Sequence, residues 1–221
     1  MKKAKMKETA FTLAETLITL GIIAIVAALT LPAVLADKRA KELETGFKKQ
    51  LSVIQNVLIR MEMEKGEPYT RNSSSATRTF KKEFVKYFKI IKDCNFEDCL
   101  KVNDKNVYKD LTNKYDTFTK FIDDGQFILH DGTMIMLNDA ANEPLLISFD
   151  VNGPYKKPNR YGQDLFTFQI MENGKLLPMG ADGTWYTDEN FCSTEKGDIK
   201  NGLTCAYRAV TEPDYFKKLP R

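Results

Sequence analysis

Three groups of residues have types and spacings that could do chemistry: a carboxylate heading an apolar run, two local cysteine pairs, and a loop crowded with side-chain oxygens. Glu15 immediately precedes 21 uncharged residues, Thr16 to Ala36. A carboxylate at membrane depth is costly and usually has a partner. Two roles compete for it. One is a cap or dipole partner at a helix start. The other is an ion-pair partner for the free α-amino group of a neighbouring identical helix, which requires the chain to be cut just before the apolar run.

Cys94 and Cys99 are five residues apart, and Cys192 and Cys205 thirteen. Four cysteines allow three pairings. Sequence proximity favours Cys94–Cys99 and Cys192–Cys205, provided the body lies in an oxidising compartment. Neither pair has CxxC spacing, and the chain has one histidine, His130, which argues against zinc. That histidine follows a run of alternating period at an Asp131-Gly132 turn and reads as a solvated turn residue. No GxSxG, HExxH or P-loop is present, nor paired carboxylates at a catalytic spacing, so no enzyme is expected.

The third group is the stretch holding Asp150, Asn152, Asn159 and Asp164 between two strand-like runs. Calcium takes six to eight oxygen ligands, often from Asp, Asn and backbone carbonyls. Asx side chains and glycines also build tight turns with no ion. No glutamate stands at EF-hand spacing.

The elements that position these groups follow from periodicity. As a helix, Thr16 to Ala36 spans about 32 Å, enough for a hydrocarbon core of about 30 Å. Lys2, Lys3, Lys5 and Lys7 precede it, so the N-terminus should stay cytoplasmic and the body should be periplasmic or exterior. Competing readings are a plain signal anchor, a secretory signal cleaved after Val34-Leu35-Ala36, and a buried core helix. Leu43, Phe47, Leu51, Ile54, Leu58 and Met61 then recur every three or four residues. They continue one helix over 11–65, ending near Gly66 and Pro68.

Residues 69–77 read as a loop. Phe80, Phe84, Tyr87, Phe88 and Ile91 predict a short second helix with an aromatic face, more suited to a core than to a binding site, and 93–119 carry no clear period. From Gly125 the period becomes two: 126–130, 133–137, 145–150 and 164–171 read as antiparallel strands. The fold class is α+β, a long N-terminal helix packed on a small antiparallel sheet. The chain has 221 residues, 43% of them hydrophobic, which allows a real core. Setting aside the four leading lysines, Glu8 and Glu15 from 33 basic and 30 acidic residues leaves 29 and 28 from Asp37 onward. A body so nearly neutral has no bulk footprint for nucleic acid.

Ala10-Phe11-Thr12-Leu13-Ala14-Glu15-Thr16-Leu17-Ile18-Thr19-Leu20 resembles the prepilin cleavage and methylation motif of type IV pilins and type II secretion pseudopilins. The likeness covers roughly residues 1–60, and Ala10 departs from it where the family usually has glycine. It implies a leader over 1–10, cut by prepilin peptidase on the cytoplasmic side between Ala10 and Phe11, and N-methylation of Phe11. Glu15 then falls at the fifth mature position and Pro32 at the twenty-second, where pilins commonly carry a helix-kinking proline. The resemblance further implies a ladle-shaped subunit. A transmembrane and assembly helix over 11–36 would carry a periplasmic domain over 37–221. That domain comprises an amphipathic helix (37–65), a variable region (66–124) and a sheet with a C-terminal disulfide loop (125–221). Its setting would be a bacterial inner membrane, crossed once, and then a homo- or hetero-filament. Its partners would be the peptidase, other pilin or pseudopilin subunits and an inner-membrane assembly platform. Major pseudopilins carry calcium in a loop comparable to 150–164. A minor pilin binding cargo, a surface or DNA at a tip is the alternative, favoured by the length of 66–124.

Overall fold

The computed structural model describes residues 12–73, 76–100, 107–117 and 121–220. The chain divides between Arg39 and Ala40 into two units, and helix α1 (Leu13–Lys65) runs through both, Pro32 included. In the first unit every large apolar side chain from Leu13 to Leu35 is more than half exposed. Among the described residues, α1 is the one helix long and apolar enough to cross a bilayer.

In the second unit α1 turns its apolar stripe inward: Leu43, Phe47, Ile54, Val57 and Met61 are buried, and Leu51 and Leu58 partly so. The helix stops because Gly66 takes φ +81°, a left-handed conformation that its missing Cβ permits, while its N–H still bonds the Glu62 carbonyl at 2.8 Å. Six strands follow in a meander: β1 (Ile90–Asp93), β2 (Gly125–Leu129), β3 (Met134–Asn138), β4 (Leu145–Asp150), β5 (Leu165–Ile170) and β6 (Leu176–Pro178). Each pairs antiparallel with the next, in sequence order across the sheet. Two short helices, α2 (Phe80–Phe84) and α3 (Cys205–Thr211), complete the unit. The α+β arrangement expected from the sequence is therefore present.

Strand alternation divides the apolar side chains between two cores. Phe127, Ile135, Ile147, Phe149, Phe166 and Phe168 face α1, α2 and α3. Phe47 of α1 is the hub, with ring centroids 4.6 Å from Phe166, 5.4 Å from Phe216, 5.8 Å from Phe149 and 6.1 Å from Phe168. Gly46 beside it admits the end of β4, since a Cβ there would meet Val151 Cγ1 at 2.2 Å. Ile128, Met134, Met136, Leu146 and Leu165 face the other way, against Cys94, Leu100, Tyr108, Phe121 and Ile122. Both sheet faces are thus covered, and β2 to β5 are buried at every position.

The aromatic helix predicted to reach Ile91 is shorter. Regular helix ends at Phe84, a 3₁₀ turn covers Val85–Tyr87, and Ile91 lies on β1 and is exposed. Pairing of Ile90, Lys92 and Asp93 with β2 outweighs helical periodicity there. Cys94–Cys99 closes the loop after β1, and Cys192–Cys205 ties residue 192 to the first turn of α3.

Candidate functional site

Glu15 lies in the first turn of α1, where helix N–H groups lack partners. Its Oε2 accepts from the Thr12 N–H and the Thr12 hydroxyl, both at 2.8 Å, while its own N–H donates to Thr12 Oγ1 at 3.3 Å. This reciprocal Thr-x-x-Glu arrangement is a capping box. The cap role therefore exists within a single chain, and the carboxylate has local donors before any neighbour arrives. Ala10 and Phe11 lie outside the described residues. Pro32 sits inside α1.

The oxygen-rich loop belongs to the second unit. Asp150, at the end of β4, and Asp164, just before β5, have no solvent exposure. Asp150 Oδ1 accepts from the N–H groups of Asn152 (3.1 Å) and Gly153 (2.9 Å), and Oδ2 from the Tyr108 hydroxyl (2.6 Å). Asp164 accepts from the N–H of Asn159 and of Arg160, both at 2.7 Å. Both aspartates thus build turns. Burial first, and the Asp164 charge second, push the Asp150 carboxyl well above the usual carboxylate range. Burial and Asp150 likewise raise the Tyr108 hydroxyl.

The four residues singled out for calcium do come together in this loop, although each carboxylate spends lone pairs on N–H or O–H donors. Two further oxygens have none: Asn152 Oδ1 and Asn159 Oδ1 are buried with no hydrogen-bond partner, while their amide nitrogens bond the carbonyls of Lys157 and Pro154. Orphaned oxygens beside a buried carboxylate suit a hard cation. Among the described residues no group of three or more His, Cys, Asp or Glu side chains is placed to hold a metal. Any ion here would depend on the two aspartates, the two amides and main-chain carbonyls.

A second set of buried carboxylates escaped the sequence reading. Asp139, after β3, accepts from Arg71 Nη1 at 2.7 Å and from the N–H groups of Thr79 (2.7 Å) and Phe80 (2.9 Å), capping α2. Asp124, before β2, accepts from Arg78 Nε at 2.7 Å and the Asp139 N–H at 3.0 Å. The guanidinium of Arg78 also lies 4.6 Å from the Phe96 ring centroid, inside the Cys94–Cys99 loop. The sequence-level signal would have been two arginines in the polar 69–79 stretch. His130 is exposed in the β2–β3 turn.

No family model, curated protein or solved structure matches the chain.

Proposed function

We propose that the chain is a type IV pilin-like subunit, processed by prepilin peptidase between Ala10 and Phe11, held in the inner membrane by α1 and polymerised through that helix. One observation carries the reading: α1 is unbroken from Leu13 to Lys65, so an exposed, bilayer-length apolar segment headed by Glu15 continues into the helix on which the sheet's core is built. An apolar segment that the described residues leave uncovered calls for cover by lipid or by other copies. Successive cover, first by lipid and then by neighbouring helices, is what a filament subunit requires. Calcium belongs to the same reading: Asp150, Asp164, Asn152 and Asn159 would hold it, and its charge would compensate the buried Asp150.

The capping box makes the test of Glu15 sharper. Glu15→Ala removes both charge and cap, the cap contributing about 1 kcal/mol to the helix start. Glu15→Gln keeps the capping pattern and removes only the charge. An amine of a neighbouring Phe11 left beside a neutral group in low dielectric loses about 3–5 kcal/mol. We expect both variants to insert in the membrane with an unchanged melting temperature of the soluble body, and both to be missing from sheared filaments. Glu15→Asp restores part of the yield. If Glu15→Gln assembles as well as wild type, Glu15 is a cap and nothing more.

A further inference from the structure

The β4–β5 loop carries a tyrosine, Tyr155, that makes no hydrogen bond or ring contact among the described residues. Tyr155 is 80% exposed, yet the backbone around it is tied on both sides. Pro154 C=O accepts from Asn159 Nδ2 at 2.7 Å, Lys157 C=O accepts from Asn152 Nδ2 at 3.3 Å, and the Lys156 N–H donates to Gly153 C=O at 3.1 Å. A tyrosine whose backbone is already pinned has less main-chain freedom to lose on docking, which lowers the cost. Lys156 and Lys157 beside it are exposed, with no ion pair among the described residues.

At the other end of the same unit an open groove of about 550 Å³ lies between α1 and edge strand β6, its walls including Leu58, Ile59, Glu62, Tyr69, Leu176 and Leu177. Glu62 is exposed and unpaired among the described residues, as are Glu67 and Glu172, which flank groove residues Pro68 and Asn173. Lys175 is the one cation among the lining residues. The Tyr155 loop forms a knob at the end of the unit where Gly46 meets Val151, and the groove lies at the end where Gly174 meets Pro68. Leu58 lies twelve residues along α1 from Gly46, about 18 Å at 1.5 Å per residue. Knob and groove are therefore different patches at opposite ends of one unit, basic and acidic respectively. A contact between such patches is heterologous, so repeating it builds an open filament unless the rotation closes it into a ring, and it does not give a twofold dimer.

We propose that Tyr155 of one copy, with Lys156 and Lys157, docks in the α1–β6 groove of a second copy, the lysines facing Glu62, Glu67 and Glu172. This rests on the filament reading and names a contact within it.

The experiment places photoreactive benzoylphenylalanine at position 155 of the full-length chain in its own cells, followed by irradiation, shearing and peptide mapping. The expected result is a ladder of multimers crosslinked from 155 to the peptides holding Ile59–Glu62 or Lys175–Leu177. Tyr155→Ala should lower sheared filament yield about tenfold, the loss of one anchoring aromatic, with an unchanged melting temperature of the body. Lys157→Glu and Glu62→Lys should each weaken assembly, and the double charge swap should restore it. Filaments whose position 155 crosslinks elsewhere, to a different protein or to nothing, with Tyr155→Ala at wild-type yield, overturn the contact and leave the filament standing. A wild-type chain that never leaves the membrane as a polymer overturns both.

Discussion

Asp139 and Asp150 mark opposite ends of the same sheet: Asp150 pairs with Met134 at the start of β3, while Asp139 follows its end. Both are out of contact with water and both accept two backbone N–H groups. They differ in the third partner. Asp139 has the Arg71 guanidinium; Asp150 has a tyrosine hydroxyl. The Phe80 and Thr79 amides first, and the Arg71 charge after them, work against what burial and the neighbouring Asp124 do to Asp139, whose carboxyl is raised. At Asp150, burial and a second carboxylate act together, and the carboxyl sits far above its usual range. One end of the sheet meets its buried charge with a covalently attached cation. At the other, the described residues bond Asp150 only through a hydroxyl and two amides.

The largest expected effect tests the arginine end. Arg71→Ala leaves Asp139 buried without its counter-charge and should cost about 3 kcal/mol, the lower end for breaking a buried pair, because Arg71 itself is 21% exposed. Urea denaturation of the second unit with its disulfides intact measures this. Adding Asp139→Asn should recover a good part of the loss, since the amide oxygen still caps α2 and no charge is stranded. A loss below about 1 kcal/mol would make this an ordinary surface pair and erase the contrast between the two ends.

A smaller effect tests the other end. If an ion can take the place that arginine holds at Asp139, calcium at ten times its Kd should stabilise the body by about 1.4 kcal/mol, by mass action. Asp150→Asn should abolish that response, and Arg71→Ala should leave it intact. Thermal melts with millimolar calcium, with magnesium and with chelator distinguish the cases. Equal curves in all three remove calcium from this loop and leave the proton as the means of neutralising Asp150.

Legibility in the sequence followed the range of the interactions. The stop of α1 at Gly66, strands β2 to β5 and the two local disulfides are short-range features, fixed by a positive-φ glycine, a period of two and spacings of five and thirteen. Ile91 completes a helical stripe in the sequence, yet its neighbours pair with β2 across about 35 residues of chain. Strand β6 and helix α3 have no periodic signal in the sequence. β6 is three residues ending in proline, too short for a period, and α3 starts at a disulfide cysteine whose bond does not announce a helix. The second core was hidden for the same reason as the Arg71–Asp139 pair. Leu100, Tyr108, Phe121 and Ile122 are scattered through a polar stretch and gain meaning only against the far face of the sheet. Apolar runs such as Met134-Ile135-Met136-Leu137 carried the clue, since a strand with no polar alternation is one buried on both faces. The oxygen-rich loop was visible as a composition. Which oxygens were spent on turns and which two were left over was not.

The smallest expected effect lies at the arginine end and marks where that way of neutralising charge runs out. Arg78 and Arg71 bond Asp124 and Asp139, and Asp123 is a third carboxylate beside them. Burial first, then the Asp124 charge, push Asp123 up to about 6; Glu97 adds to the rise and Arg78 pulls against it. A carboxyl raised in the folded state favours folding while protonated. Its contribution is full below the unfolded value of 3.8 and is lost as pH rises through about 6. Asp110 and Asp131 work in the other direction. Burial opposes them, but hydrogen bonds from Thr112 and two amides, and from Lys49 and Thr133, hold their carboxyls low, so their share is lost only at acid pH. Between pH 5 and 7 the body should therefore lose stability as pH rises, and Asp123→Asn should flatten part of that slope. Asp123 is only half buried, so solvent screening limits the difference to less than about 1 kcal/mol. Because Asp150 titrates with the same sign, the informative measurement is the melting temperature of wild type minus that of Asp123→Asn across this range, in chelator. A difference that does not change from pH 5 to pH 7 would mean that Arg78 neutralises Asp123 as well as Asp124, and that the arginine end leaves no buried charge uncompensated.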